Sequence, residues 1–257
     1  MYTKYDAMVM LPIMTGLVLI TILTWWLLRR KKGWMRRVPF IVIVVIVLAL
    51  EIAKQAWSLT QIPTHGFNHW YLPVHISSAF IFFAPFAAFS KPESKFGRVA
   101  FMITISFALF ISIGTVFLPE MVFGNIIGRL INNSAGRETF VFCHSIIYHA
   151  LVLLFVMLVI ALRPCKAKWR DIGYIALAFA LFLVLTGTMA NVMHYVVGVA
   201  VRRSDYGSFL TLPIGEFSVA VRAVLVWTIY VVASALLATA IVGATKLITR
   251  KLLQNQN

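Results

Sequence analysis

Seven runs of predominantly apolar residues dominate this chain, at approximately 8–28, 38–59, 72–90, 99–118, 139–162, 172–199 and 217–245. A helix needs about 20 such residues to cross the hydrocarbon core of a bilayer, so each run reads as a transmembrane helix. The expected fold is all-α: a polytopic membrane protein forming one seven-helix bundle over residues 1–257. Composition agrees. Charged residues make up 12% of the chain, about half of what soluble proteins carry. The first run precedes the basic cluster Arg29-Arg30-Lys31-Lys32 and is too long for a signal-peptide core, so it reads as a span. No internal repeat, low-complexity tract or second domain is evident.

Lys and Arg number 23 against 8 Asp and Glu. In a soluble chain this surplus would point to nucleic acid; here it borders apolar runs, where it orients helices and meets anionic headgroups. If the N-terminus is outside, the inner segments hold Arg29, Arg30, Lys31, Lys32, Arg36, Arg37, Lys91, Lys95 and Arg98. Arg163, Lys166, Lys168, Arg170, Lys246, Arg250 and Lys251 complete sixteen of the 23. Lys4, Lys54, Arg129, Arg137, Arg202, Arg203 and Arg222 are the other seven. The positive-inside rule then gives an outer N-terminus and a cytoplasmic C-terminus in a multi-pass protein of the cell membrane. The expected partners are a membrane lipid or lipid-like substrate and anionic headgroups at the cytoplasmic face, not nucleic acid. Cys143 and Cys165 stand at opposite ends of the fifth run, roughly 33 Å apart along a helix, beyond disulfide reach. They are expected to be two free thiols.

The polar residues inside these runs are unevenly placed. In the second run Glu51, Lys54 and Gln55 share one helical face. The third opens with Trp70-Tyr71-Leu72-Pro73-Val74-His75-Ile76-Ser77-Ser78, with aromatic residues at the interface and proline in the first turn. His65 and His69 fall in the preceding loop, where solvation is the ordinary reading. The fifth opens with Phe140-Val141-Phe142-Cys143-His144-Ser145-Ile146-Ile147-Tyr148-His149. Its histidines diverge by about 140°, so they occupy two edges of one helix. Asn191 and His194 end the sixth run; Glu216 and Arg222 open the seventh. Asn132-Asn133-Ser134 has the form of a glycosylation sequon, but so short a match is expected by chance.

With the N-terminus outside, these groups converge on the outer half of the bilayer. Buried ionisable residues in membranes mark functional sites, so an outward-facing, partly hydrated cavity is expected between helices 2, 3, 5, 6 and 7. The blander alternative is that Glu51 and Lys54 neutralise each other and only fix helix packing.

Glu51 with Lys54-Gln55-Ala56-Trp57, then Trp70 with Leu72-Pro73-Val74-His75-Ile76-Ser77, resembles the corresponding segments of YwaF-type bacterial integral membrane proteins. Gly114-Thr115 with Leu118-Pro119-Glu120, the approach to His149, and Asn191 follow in the same order. The likeness covers about residues 38–240. That family is similar to a eukaryotic transmembrane acyltransferase that loads polyunsaturated acyl chains onto ether phospholipids through a cysteine and a histidine. This sequence departs from both patterns. The bacterial cysteine falls on Ser77 and the eukaryotic one on Val74, which has no nucleophilic atom. A thiol acyl-enzyme at position 74 is excluded.

Three readings stay open. In a lipid-modifying enzyme that transfers or hydrolyses acyl groups, His149 or His75 would be the base. Glu51 would orient His149 if helices 2 and 5 are neighbours, Ser77 would be a nucleophile, and Ser145 and Cys143 are weaker candidates. Lys54, Gln55, Asn191, His194, Arg222 and His144 would bind substrate. A metal-dependent hydrolase has enough histidines, but they lack ligand spacing; no metal or other cofactor is expected. A transporter, receptor or sensor would suit seven helices, yet the inner helix halves offer it no polar track.

Overall fold

The computed structural model describes residues 4–31, 33–66, 71–73, 78–117, 123, 126–162, 168–192, 232, 236, 239, 240 and 243; the side chains of residues 4–7, 183, 184 and 186–192 are not described. Among these residues the chain is helical, without strands. The helices are α1 (Lys4–Leu28), α2 (Val38–His65), α3 (Ala79–Phe89), α4 (Lys95–Phe117), α5 (Ile126–Ile131), α6 (Thr139–Leu162) and α7 (Asp171–Val192). Segments Met8–Leu28, Val38–His65, Lys95–Phe117 and Gly136–Leu162 are long and apolar enough to cross a membrane. Ala79–Phe89 and Asp171–Phe182 are shorter apolar helices. The seventh expected run, 217–245, lies outside the described residues except for five isolated positions.

α2 shows how the sequence positions the polar groups. Proline stands in its first turn, where no backbone donor is lost. Its buried residues are Phe40, Ile43, Val44, Val47, Glu51, Lys54 and Ser58. These recur at three- and four-residue steps, so they form one inward stripe. The stripe is apolar up to Val47 and polar beyond it. α2 also runs past the expected end at 59, through Pro63 in its last turns, and the chain turns only at Gly66. There φ is +73°, a conformation that favours glycine, and the Gly66 N–H bonds the Ile62 carbonyl at 3.0 Å.

The core ties several helices together through buried aromatic rings. Phe40, Phe80, Phe101 and Phe155 are fully buried. Phe155 meets Phe40 at 5.1 Å and Phe80 at 5.0 Å, edge to face, the preferred aromatic geometry. In lipid there is little hydrophobic drive between helices, so interlocking packing of this kind holds the bundle. α4 and α6 are its centre. α4 packs on α3, α6 and α7, and α6 also on α1 and α2. α1 is peripheral, with Leu11, Leu19, Ile22, Leu23 and Trp26 exposed. In α4 the buried hydroxyls of Thr104, Ser106 and Thr115 each donate to the carbonyl four residues back, at 2.8–2.9 Å. Those hydroxyls are satisfied locally.

The end carrying the basic residues is tied by polar bonds. Arg37 Nη2 donates to the Ala88 carbonyl at 3.0 Å, joining α2 to α3. Arg98, counted with the loop in the sequence, instead lies inside α4 and is buried. Its Nε and Nη2 donate to both oxygens of Asp171, the first residue of α7, at 3.1–3.3 Å. Asp171 Oδ2 also accepts from the Lys168 backbone N–H at 2.8 Å.

Candidate functional site

The polar half of the α2 stripe faces α6. Glu51 and His144 are each only 6% exposed, so every polar atom they carry needs an account. Lys54 Nζ donates to Glu51 Oε1 at 2.9 Å. Gln55 Nε2 donates to the same oxygen at 2.6 Å and to the Tyr71 carbonyl at 2.7 Å. The i, i+3 and i, i+4 spacing makes both bonds local to α2. Glu51 Oε2 points away from them. It lies 3.7 Å from His144 Nε2, too far for a hydrogen bond between them. Neither atom has a hydrogen-bond partner among the described residues.

The histidine that α6 turns toward Glu51 is therefore His144. The expectation that Glu51 would orient His149 needed α2 and α6 to be neighbours, and they are; the rotation of α6 selects the other edge. His149 Nδ1 lies 2.7 Å from the Ser145 carbonyl. A carbonyl only accepts, so that nitrogen carries the proton and donates. The His149 ring is buried edge-on against Phe123 and Tyr148, at 5.2 and 5.3 Å. Tyr148 also lies parallel to His144 at 6.1 Å, so its ring neighbours both imidazoles.

Aromatic residues cover this cluster on the side away from the basic end. Trp57 meets Tyr71 at 5.2 Å and Phe140 at 5.9 Å. Tyr71 Oη donates to Glu138 Oε1 at 3.5 Å, and Glu138 Oε2 is bridged by Arg129 at 2.9 Å. Arg129 also lies over the Phe142 ring, 4.8 Å from its centre. Tyr71 thus links the buried cluster, through its carbonyl, to a half-exposed ion pair at the rim.

Of the residues expected to form a site, Glu51, Lys54, Gln55 and His144 come together. His149 sits on the same helix at another edge. His75, Ser77, His194 and Arg222 lie outside the described residues, and Asn191 is described only as part of α7. Cys143 is a free, exposed thiol; Cys165 is outside the description. Among the described residues no three His, Cys, Asp or Glu side chains are grouped as metal ligands. The Arg98–Asp171 clamp and the Tyr71–Glu138–Arg129 rim were not singled out in the sequence, since their partners are far apart along it.

The model of the TMEM164 family, a transmembrane-protein family, matches residues 1–246. The chain belongs to the TMEM164 family. The match covers every helix described above, so this buried cluster is carried on a family-wide scaffold rather than on an added domain. No curated protein and no solved structure matches the chain. The protein is a multi-pass membrane protein of this family.

Proposed function

We propose that this TMEM164-family protein is a membrane-embedded lipid-modifying enzyme that transfers or hydrolyses acyl groups. The observation that carries the reading is the buried carboxylate–imidazole pair formed by Glu51 and His144 from two different helices. Acyl transfer requires a positioned base near neutral pH, and imidazole is the side chain suited to it. A purely structural pair would be expected to close its hydrogen bonds, because unmade ones are costly in a low-dielectric interior. Here the pair that is closed is Glu51 with Lys54, and an imidazole faces the carboxylate oxygen left over.

The packed phenylalanines weigh against a transporter. Phe40 and Phe155 each lie eleven residues, about 16 Å of helix, from Glu51 and His144 toward the basic end, and both are fully buried. An apolar plug in that position favours a site open to one side. The resemblance to YwaF-type proteins and to the eukaryotic ether-phospholipid acyltransferase supports the same chemistry. The basic-residue asymmetry supports an outer N-terminus in the cell membrane, with the site toward the outer leaflet. His75, Ser77, Asn191, His194 and Arg222 remain candidates for completing it.

A lipidomic comparison tests the reading. Membranes carrying the wild type are expected to differ in acyl-chain distribution from membranes carrying His144→Ala or His75→Ala, and to stay closer to those carrying His149→Ala. Identical profiles from wild type and all three variants, with each protein folded and expressed, would move a transporter or sensor role to the front.

A further inference from the structure

We infer that the corner joining α1 to α2 binds the phosphate headgroup of an anionic phospholipid. Arg37, at this corner, is fourteen residues from Glu51, about 21 Å of helix. The site is therefore separate from the buried cluster, and it does not depend on the acyl-transfer reading.

Positive charge at this corner has no counter-ion in the nearby chain. Arg29, Arg30, Lys31, Lys32, Arg36 and Arg37 fall within nine residues, and no Asp or Glu occurs between residues 7 and 50. Three cations elsewhere are matched by carboxylates: Lys54 by Glu51, Arg98 by Asp171 and Arg129 by Glu138. Here the guanidinium groups are held on neutral oxygens instead. Arg36 Nη2 donates to the Arg29 carbonyl at 3.0 Å, just past the end of α1, and Arg37 Nη2 donates to the Ala88 carbonyl near the end of α3. Arg37 also lies over the Trp34 ring, 5.8 Å from its centre, and its Nε is buried without a partner among the described residues. These contacts fix both side chains without cancelling their charge, and burial removes part of the water that would screen it. Helix ends do not change the balance. α1 and α3 finish at this end and α2 and α4 begin there, so their partial charges offset one another.

The surface around this fixed pair suits a lipid better than a free anion. Arg29, Arg30 and Lys31 are exposed, and so are Trp25, Trp26, Trp34 and Met35. Arg29 lies over the Trp25 ring, 5.5 Å from its centre. Tryptophan favours the headgroup level of a bilayer, which sets these cations at the depth of lipid phosphates. Trp34 and Met35 stand in a 3₁₀ turn between the two helices, where they can meet acyl chain beside the headgroup. A phosphate is received by the exposed Arg29, Arg30 and Lys31, for which the guanidinium fork is well shaped; Arg37 Nε has no surface to offer and contributes charge alone. The other cations at this end are placed differently. Arg98 is closed on Asp171, Lys95 lies over Tyr174, and Glu93 stands between Lys91 and Lys95 in the chain.

The test reconstitutes the full chain in phosphatidylcholine vesicles with a trace of photoactivatable phosphatidylglycerol or photoactivatable phosphatidylcholine. Crosslinked peptides are mapped by mass spectrometry. The peptide holding residues 25–38 should take phosphatidylglycerol at least about tenfold over phosphatidylcholine, since each basic residue near an anionic surface contributes about fivefold. Arg29→Gln, Arg30→Gln, Lys31→Gln in one chain should abolish that preference. Lys95→Gln, Lys168→Gln, Arg170→Gln, which removes equal charge from the same end, should leave it within about twofold. Excess inorganic phosphate at constant ionic strength should not compete. Equal labelling by the two lipids on the wild type overturns the inference, whether or not the variants fold. Equal losses in the two triple variants also overturn it, since they would show a diffuse field in place of a site. Displacement by inorganic phosphate would overturn the assignment to a lipid.

Discussion

The Glu51 carboxylate divides its two oxygens between two helices: Oε1 takes Lys54 and Gln55 from its own helix, and Oε2 faces His144 of α6 at 3.7 Å. The first half neutralises a charge that would be costly in a membrane. The second leaves an acceptor and an imidazole opposed without a bond. Stability and chemistry can therefore be separated by mutation at this one residue.

Removing Lys54 should strand the carboxylate. Breaking a buried pair by deleting one partner typically costs about 3–5 kcal/mol, so Lys54→Ala should lower the thermal midpoint in detergent markedly. Adding Glu51→Gln to that variant should restore most of the loss, because no ion is then left unpaired. A double variant no more stable than Lys54→Ala would show that Lys54 acts through something other than Glu51.

The Arg98–Asp171 clamp follows the same logic at the other end of the bundle. Asp171→Ala should cost about 3–5 kcal/mol, since Arg98 loses both carboxylate oxygens and the Lys168 N–H loses its acceptor. An Arg98→Met, Asp171→Leu pair should unfold at a midpoint closer to wild type. Equal loss in the single and double variants would point to the backbone bond alone.

Gly97, in the first turn of α4, packs closely on the turn that precedes the helix. A Cβ there would fall on the Lys91 carbonyl, and the Gly97 N–H is bonded to Ser94 Oγ at 2.9 Å as part of the α4 cap. Gly97→Ala should destabilise by about 1–3 kcal/mol. Gly16→Ala, where nothing lies within 4 Å, should be neutral or slightly stabilising through helix propensity. The two thermal midpoints, measured side by side, check this.

Orientation is testable at Cys165. In a Cys143→Ser background an impermeant thiol reagent should label Cys165 only when the cytoplasmic face is opened. Labelling in intact cells would reverse the proposed topology.

Local features were legible in the sequence and long-range ones were not. Glu51, Lys54 and Gln55 could be placed on one face because helical spacing alone decides it. That His144 and His149 lie on different edges followed from the same geometry. Which edge meets Glu51 depends on the rotation of α6, set by the packing of Phe155 on Phe40 and Phe80; no spacing rule reports that. Arg98 and Asp171 are 73 positions apart, and each reads singly as a residue at a helix end. The expected end of α2 at 59 fell short because Thr60-Gln61-Ile62-Pro63 has a turn-like composition, whereas the helix continues to Gly66.

The most direct test of the Glu51–His144 pairing is acyl turnover by His144→Gln and His149→Ala, each shown to be folded, in phosphatidylcholine liposomes holding an acyl-labelled phospholipid and a lysophospholipid. The account predicts a loss of about 10²–10⁴-fold for His144→Gln, the range for a positioned base. It predicts less than about tenfold for His149→Ala, whose ring is held against the Ser145 carbonyl and Phe123 instead of facing the carboxylate. The reverse order, with His149→Ala inactive and His144→Gln near wild type, would contradict it.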